Sequence, residues 1–261
     1  MSTEEFIIGL FIRVDEQMAE VAKHPQSSLY PSELVTLALL YALKGVGERP
    51  FYRWLVRDCL PLFPKLPERT RLFRLFVAHR DWTDRFLAAP TVLGVADSYG
   101  IELIHPWREG RTPAQIGTKG MSNHRWIVGG KLAFVLNQWG LVSAWECGTA
   151  NVHDQTFPPL VARFVEEMIV LTDSGFHAAA GDPANMKVCH KGEGNVRMMV
   201  ETVLSMLTVV CHCKHMRHRL WASFQAHLAA AMALFNLLAA WHGLTPDKAG
   251  RIHLSIAEFS L

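Results

Sequence analysis

Two short apolar runs in this chain stop at an aspartate, and one helix-like apolar stretch carries a single glutamate. TVLGVAD ends at Asp97, MIVLTD ends at Asp173, and NVRMMVETVLSML holds Glu201. In the last segment Val196, Met199, Val200, Val203, Leu204 and Leu207 fill most of the helix surface, so Glu201 is expected to be poorly solvated. Burying an unpaired charge is costly, and a nearby cation is the remedy. Arg197, four residues earlier on the same helix face, is one partner. A divalent metal is another, because hard cations prefer carboxylate oxygens.

Three carboxylates on separate elements suit transfer of a phosphodiester from one oxygen to another. That reaction needs charge neutralised on the phosphoryl oxygens and two oxygens activated in line. Two Mg²⁺ ions roughly 4 Å apart do both, and Mn²⁺ is a possible substitute. In this reading Asp97 bridges the ions, and Asp173 and Glu201 complete one site each. A plainer reading stands beside it: acids at strand ends are common turn formers, and Asp97-Ser98 and Asp173-Ser174-Gly175 fit that role too.

The elements that must position these residues follow from periodicity. Residues 1–89 read as a helical module: Phe6, Ile7, Leu10, Phe11, Val14 and Met18 recur at helical spacing, and Pro31 opens a helix that stops at Gly45. A third helical segment, FYRWLVRDCL, closes at Pro61, and two more follow Pro67 with a break near Asp81. After Pro90 the pattern turns to strands: TVLGVAD, then 124–137, then LVSAWECGTA after a Gln138-Trp139-Gly140 turn. An amphipathic helix is expected from Phe157 to Glu167, then strands MIVLTD and NMKVC, then helix from Asn195 almost to Leu244. The expected fold is therefore α/β, a mixed five-stranded sheet flanked by helices in residues 90–261 behind the helical module. Asp97 and Asp173 fall at strand exits, where ligands sit in open α/β sheets.

Bulk properties agree with a folded chain. Of 261 residues 50% are hydrophobic and 19% charged, which excludes global disorder, while a net charge of +2 neither demands nor excludes nucleic acid. Five cysteines at irregular spacing read as free thiols in a reducing cytoplasm, and MSTEEFIIGLFIRVDEQ does not read as a signal peptide. The longest apolar stretch, Leu228 to Trp241 with Asn236 inside it, reads as a buried core helix rather than a membrane span.

Four stretches, in order, resemble the DDE transposases of bacterial insertion sequences: VADSYGIELIHPWREGR, HRWIVGGKLAFVLNQWGLVSAWECGTANVHD, IVLTDSGFH and NVRMMVETVLSMLTVVCHCKHMRHR. The second is the most specific, a hairpin with Gly-Lys inside it that ends in Ala-Asn-Val-His-Asp. The resemblance covers about residues 30–243. It implies a ribonuclease-H-like catalytic domain, the catalytic set Asp97, Asp173 and Glu201, and an Arg before the helical Glu, here Arg197. It further implies double-stranded DNA partners (terminal inverted repeats and target), a homodimer that pairs two ends, and a bacterial, nucleoid-associated setting with no membrane. Many members carry a Tyr where this chain has Gly194 and a Lys where it has Thr208. The short spacing from Asp173 to Glu201 leaves no room for the large insertion domain of some members. Alternatives are a transposase-derived DNA-binding protein without catalysis, and a ribonuclease-H-like nuclease without strand transfer.

Cations cluster near the carboxylates in sequence. Arg108, Arg111 and Lys119 precede the hairpin strand that carries His124, Arg125 and Lys131, a positive field suited to phosphates or simply a solvated loop. Lys214, Arg217 and Arg219 are further phosphate candidates. Trp107 and Trp126 are candidates to stack on an unpaired base, although a Trp is more often core. Cys211, His212, Cys213, His215 and His218 look like a zinc set but lack a complementary pair at zinc-finger spacing, and read rather as a helix of core thiols and phosphate-facing basic residues. Asp154 reads as a helix N-cap. Arg69, Arg71, Arg74, His79, Arg80 and Arg85 form the best N-terminal cluster for DNA or for packing.

Overall fold

The computed structural model describes residues 1–122, 125–179, 181–189, 196–214, 216–245 and 252–259, with the backbone alone for 196 and 197. His124, Gly194, Asn195, His215 and the Arg197 side chain lie outside the described residues.

The helical half forms much as its periodicity requires. Helix α1 (Thr3–Met18) starts with a capping box in which Ser2 and Glu5 satisfy each other's backbone amides, and it buries Phe6, Ile7, Leu10, Val14 and Met18. Helix α2 (Pro31–Lys44) opens on proline, is buried almost throughout, and stops at Gly45. Helix α3 (Glu48–Trp54) runs into one wide turn at Leu55–Cys59, and α4 (Arg69–Ala78) gives way at His79 to a 3₁₀ turn, Arg80–Phe86.

The sheet has six strands, one more than expected. They are β1 (Leu93–Ile104), β2 (Thr118–Ser122), β3 (Arg125–Asn137), β4 (Val142–Thr149), β5 (Ile169–Thr172) and β6 (Met186–Val188). The order β2-β3-β1-β5-β6 is completed by β4, which pairs with the rest of β3's outer edge. Strand β3 is antiparallel to β1 and to β4, whereas β5 runs parallel to β1 and β6 parallel to β5. The added strand is TKGMS. Its Thr118, Lys119 and Met121 are exposed, so it shows none of the apolar alternation by which a strand is recognised.

Strand β1 also corrects the expected exit at Asp97. The apolar run stops there, but β1 continues for seven more residues because SYGIELI keeps pairing with β3 as far as Ile104. Asp97 is thus a mid-strand residue opposite Phe134. The helix expected over 157–167 is shorter, α5 (Pro158–Ala162), and dissolves into turns. The long C-terminal helix is two: α6 (Val196–Val209) and α7 (Trp221–His242). Between them Cys211 N–H reaches back to Met206 O and Cys213 N–H to Leu207 O, turns too wide for a helix, and His212 has a φ of 53°. Cys211 and Cys213 are therefore buried in an irregular segment, not on a helix face, and all five cysteines are free.

One large core joins α1, α2, α3, α4, α6 and α7 to one face of the sheet through Val95, Tyr99, Ile101, Leu132, Phe134 and Leu136. A smaller core on the other face sets Ala96, Ala133, Val135 and Ala144 against Phe157, Leu160, Val161 and Val170. Helix α7 is long and apolar enough to cross a membrane, yet most of it is buried inside the protein, as a core helix is. Asn236 in its centre accepts from Val142 N–H (2.8 Å) and donates to Phe86 O and Val142 O, stitching helix to sheet. A Cβ at Gly130 would stand 2.9 Å from the Phe224 ring, so glycine lets α7 lie close on β3.

Candidate active site

The parallel ladder between β1 and β5 sets Leu93, Gly94 and Val95 opposite Ile169, Val170 and Leu171. The same register, continued past the end of β5, brings Asp173 level with Asp97. Neighbouring strands lie about 4.8 Å apart, and residues level on parallel strands point to the same side. Asp97 shares that side with Val95 and Tyr99, the side covered by α6, α7 and the N-terminal helices. Asp97 is half-buried and accepts from Ser98 N–H at 2.7 Å. Asp173 heads a 3₁₀ turn, Ser174–Phe176, and accepts from Gly175 N–H at 3.0 Å. The turn-former role expected of these acids is thus present at Asp173, beside whatever else the pair does.

Two buried hydroxyls flank the aspartates without a hydrogen-bond partner among the described residues: Tyr99 Oη, two residues along β1, and Thr172 Oγ1, immediately before Asp173.

Glu201 does not have the environment expected of it. Val200, Val203 and Leu207 are the buried face of α6, whereas Glu201 is exposed. The apolar residues around it in sequence are split between the core and solvent, with Met198 and Val209 more than half exposed. Helix α6 does pack against β1, the strand that carries Asp97. Among the described residues no three His, Cys, Asp or Glu side chains are grouped as a ready metal site.

The cations divide into two sets. In the connection from β1 to β3, Arg108 and Arg111 are exposed, Lys119 pairs with Glu109 at 3.0 Å and lies over the Trp126 ring, and Arg125 pairs with Glu102 at 3.5 Å. Exposed ion pairs of this kind hold little energy and are easily exchanged for phosphate. Trp107 is 82% and Trp126 55% exposed, so the core role that is commoner for Trp is not theirs. The second set follows α6: Lys214, Arg217 and Arg219 are exposed, and Lys214 Nζ lies 5.1 Å from the Tyr99 ring centre, on the Asp97 side of the sheet. Lys131 departs from both sets. Its side chain is only 11% exposed and its ammonium sits 3.2 Å from Asp154 Oδ1. Asp154 in turn does not cap a helix: His153 holds the N-cap position of a 3₁₀ turn, Asp154–Thr156, and no side chain caps it. In the N-terminal cluster, Arg80 donates to Gln225 of α7 at 2.8 Å, a packing contact.

No family model matches the chain, and no curated protein matches it.

Proposed function

We propose that the chain is a metal-dependent nuclease and strand-transferase of the DDE transposase type, with a ribonuclease-H-like sheet. The observation that carries this reading is the register of the parallel β1–β5 ladder, which pairs Val95 with Leu171 and, continued two residues beyond, sets Asp173 in the turn after β5 level with Asp97 on β1. A pair of carboxylates is a donor set suited to a hard divalent cation such as Mg²⁺. Bound there, the metal supplies charge neutralisation and an activated oxygen nucleophile. Asp97 and Asp173 hold it, and Glu201 completes the set from α6. Lys214, Arg217 and Arg219 on one side and Arg108, Arg111, Lys119 and Arg125 on the other grip double-stranded DNA: the element's terminal repeats and the target. Arg197 assists from the first turn of α6. The mixed frame β4-β3-β1-β5-β6, with β2 added at its margin, supports the ribonuclease-H-like assignment. Two protomers would pair two DNA ends, in the bacterial cytoplasm at the nucleoid.

One observation favours a second reading, a transposase-derived DNA-binding protein without catalysis: Glu201 stands exposed on α6, without the burial that its apolar neighbours in sequence suggest. An assay with labelled duplexes carrying the element's ends, with Mg²⁺ and a target plasmid, separates the readings. Cleavage followed by joining is expected of the transposase, cleavage alone of a simple nuclease, and binding alone of the inactive descendant. Asp97→Asn, Asp173→Asn and Glu201→Gln are each expected to lower cleavage by about a thousandfold or more, some 4 kcal/mol of barrier, while leaving DNA binding intact. Full Mg²⁺-dependent activity in any one of them removes that residue from the set.

A further inference from the structure

The sequence offers Asp154 as a helix cap, and its side chain does something else. Its Oδ1 accepts from Ser98 Oγ at 2.6 Å and lies 3.2 Å from Lys131 Nζ. Ser98 is the neighbour of Asp97 along β1, and its own N–H donates to Asp97 Oδ1. On its other side, Asp154 reaches the turn that carries Asp173. A Cβ built on Gly175 would stand 3.3 Å from Asp154 Oδ2 and 3.1 Å from Asp173 Oδ1, so both carboxylates crowd the same glycine. Gly175 N–H donates to that same Asp173 Oδ1. Hydrogen bonds therefore link Asp97 to Ser98 and Ser98 to Asp154, and the turn carrying Asp154 packs beside the turn carrying Asp173, with Gly175 between the two carboxylates.

The electrostatics explain the lysine. Asp154 is a partly buried carboxylate on the Ser98 side of β1, and a charge withdrawn from water needs a partner. Lys131, held by β3 and largely shielded from water, balances it. Lysine at this position follows from β3 alternation: Lys131, Ala133 and Val135 share the smaller-core face, opposite the face on which Gly130 meets Phe224. The Gly-Lys pair in the hairpin thus has two unrelated causes, a close helix on one side and a carboxylate on the other.

We propose that Asp154, neutralised by Lys131 and tied to β1 by Ser98, is a positioning residue that fixes the Asp173 turn relative to Asp97. The proposal rests on the metal-nuclease reading. Partners that touch a metal ligand typically change metal affinity about ten- to a hundredfold when removed, and Asp154 stands one contact further out, so an effect near the lower end is expected. The test measures Mn²⁺ binding to the full chain by electron paramagnetic resonance, with thermal unfolding of each variant in parallel. Asp154→Asn is expected to weaken Mn²⁺ binding about tenfold, and Ser98→Ala, which keeps the ion pair, to weaken it in the same direction by less. Glu146→Gln, which breaks only the exposed pair with Arg163, should leave it unchanged. If Asp154→Asn does not fold, Ser98→Ala decides. Asp97→Asn abolishing Mn²⁺ binding while Ser98→Ala and folded Asp154→Asn bind as the parent does would overturn the positioning role and leave the metal reading standing. A lowered unfolding temperature with unchanged Mn²⁺ affinity overturns it equally, leaving Asp154 a structural role alone. Absence of Mn²⁺ binding in the parent chain overturns the metal reading and this inference with it.

Discussion

On one face of the sheet Val95, Tyr99, Ile101, Leu132, Phe134 and Leu136 are sealed under α7 and the N-terminal helices; on the other, Ala96, Ala133, Val135 and Ala144 meet only a short helix, and the row continues into Ser98, Lys131 and Asp154. The first face uses large side chains and holds the molecule together. The second uses small ones, so a loop and an ion pair can come close to β1 and β3. A single strand, β1, serves both, since its side chains alternate between them. Chemistry of the proposed kind is placed where the two meet, because the rigid side supplies the fixed reference against which the polar side is arranged.

The comparison is most directly broken by cutting each core in turn. Phe224→Ala removes a fully buried ring that rests on Gly130, and a loss of about 3–5 kcal/mol in unfolding free energy is expected. Val135→Ala on the smaller face should cost roughly 1–2 kcal/mol, as fewer methyl groups leave water-free surroundings. Urea unfolding of both variants checks this; equal losses would mean the faces share the load.

A smaller effect comes from acid. His218 Nε2 and His227 Nδ1 lie 2.8 Å apart in the large core, beneath Tyr41. Burial pushes the His218 imidazole down to about 4, and burial, with the neighbouring His218 and His212, holds His227 well below the usual range. Unfolded imidazoles titrate near 6.5, so the unfolded chain gains protons first. The stability is therefore full above about pH 6.5 and falls as the pH drops towards about 4, by roughly 3 kcal/mol from His218 alone. Urea midpoints at pH 7.5 and 4.5 should differ more for the parent than for a His218→Gln, His227→Gln variant. Parallel curves would show that the large core is not the acid-sensitive side.

The smallest effect on stability sharpens the comparison furthest. Trp107→Ala removes a side chain that touches mostly water, so unfolding should move by less than about 0.5 kcal/mol. Binding to single-stranded or frayed DNA should weaken several-fold, because a base stacked on an aromatic ring is worth about 1–3 kcal/mol. Unchanged affinity in a titration with fluorescent oligonucleotides removes Trp107 from the interface.

How much of this is legible in the residues depends on how each element earns its stability. Helices α1, α2 and α7 are readable because their apolar residues recur at helical spacing or run unbroken, and Asn236 stands out as the polar exception, which binds the sheet. The strands β3, β4 and β5 are readable as apolar runs. Strand β2 is not, since Thr118, Lys119 and Met121 are exposed and give no apolar alternation, and Gly120 in its middle lies against the Ala150 carbonyl. The continuation of β1 through Asp97 is hidden for a related reason: a polar residue opposite Phe134 ends an apolar run without ending a ladder. The break after α6 is hidden because Cys211, Cys213 and Met216 keep the composition apolar while the backbone leaves the helix. At the candidate site, Asp97 and Asp173 stand out in the sequence, but local pattern points Asp154 to a helix cap and Lys131 to a phosphate. The contacts they make with each other and with Ser98 join residues 23 or more apart, beyond the reach of local patterns.

Because Asp97 is laced into a twelve-residue strand while Asp173 rides on a turn just past a four-residue one, the two acids differ in freedom. Were the proposed cation bound there, backbone adjustment to one of larger radius would fall on the Asp173 side. Exchanging it would then register first in the backbone between residues 173 and 176, and scarcely at all at residue 97.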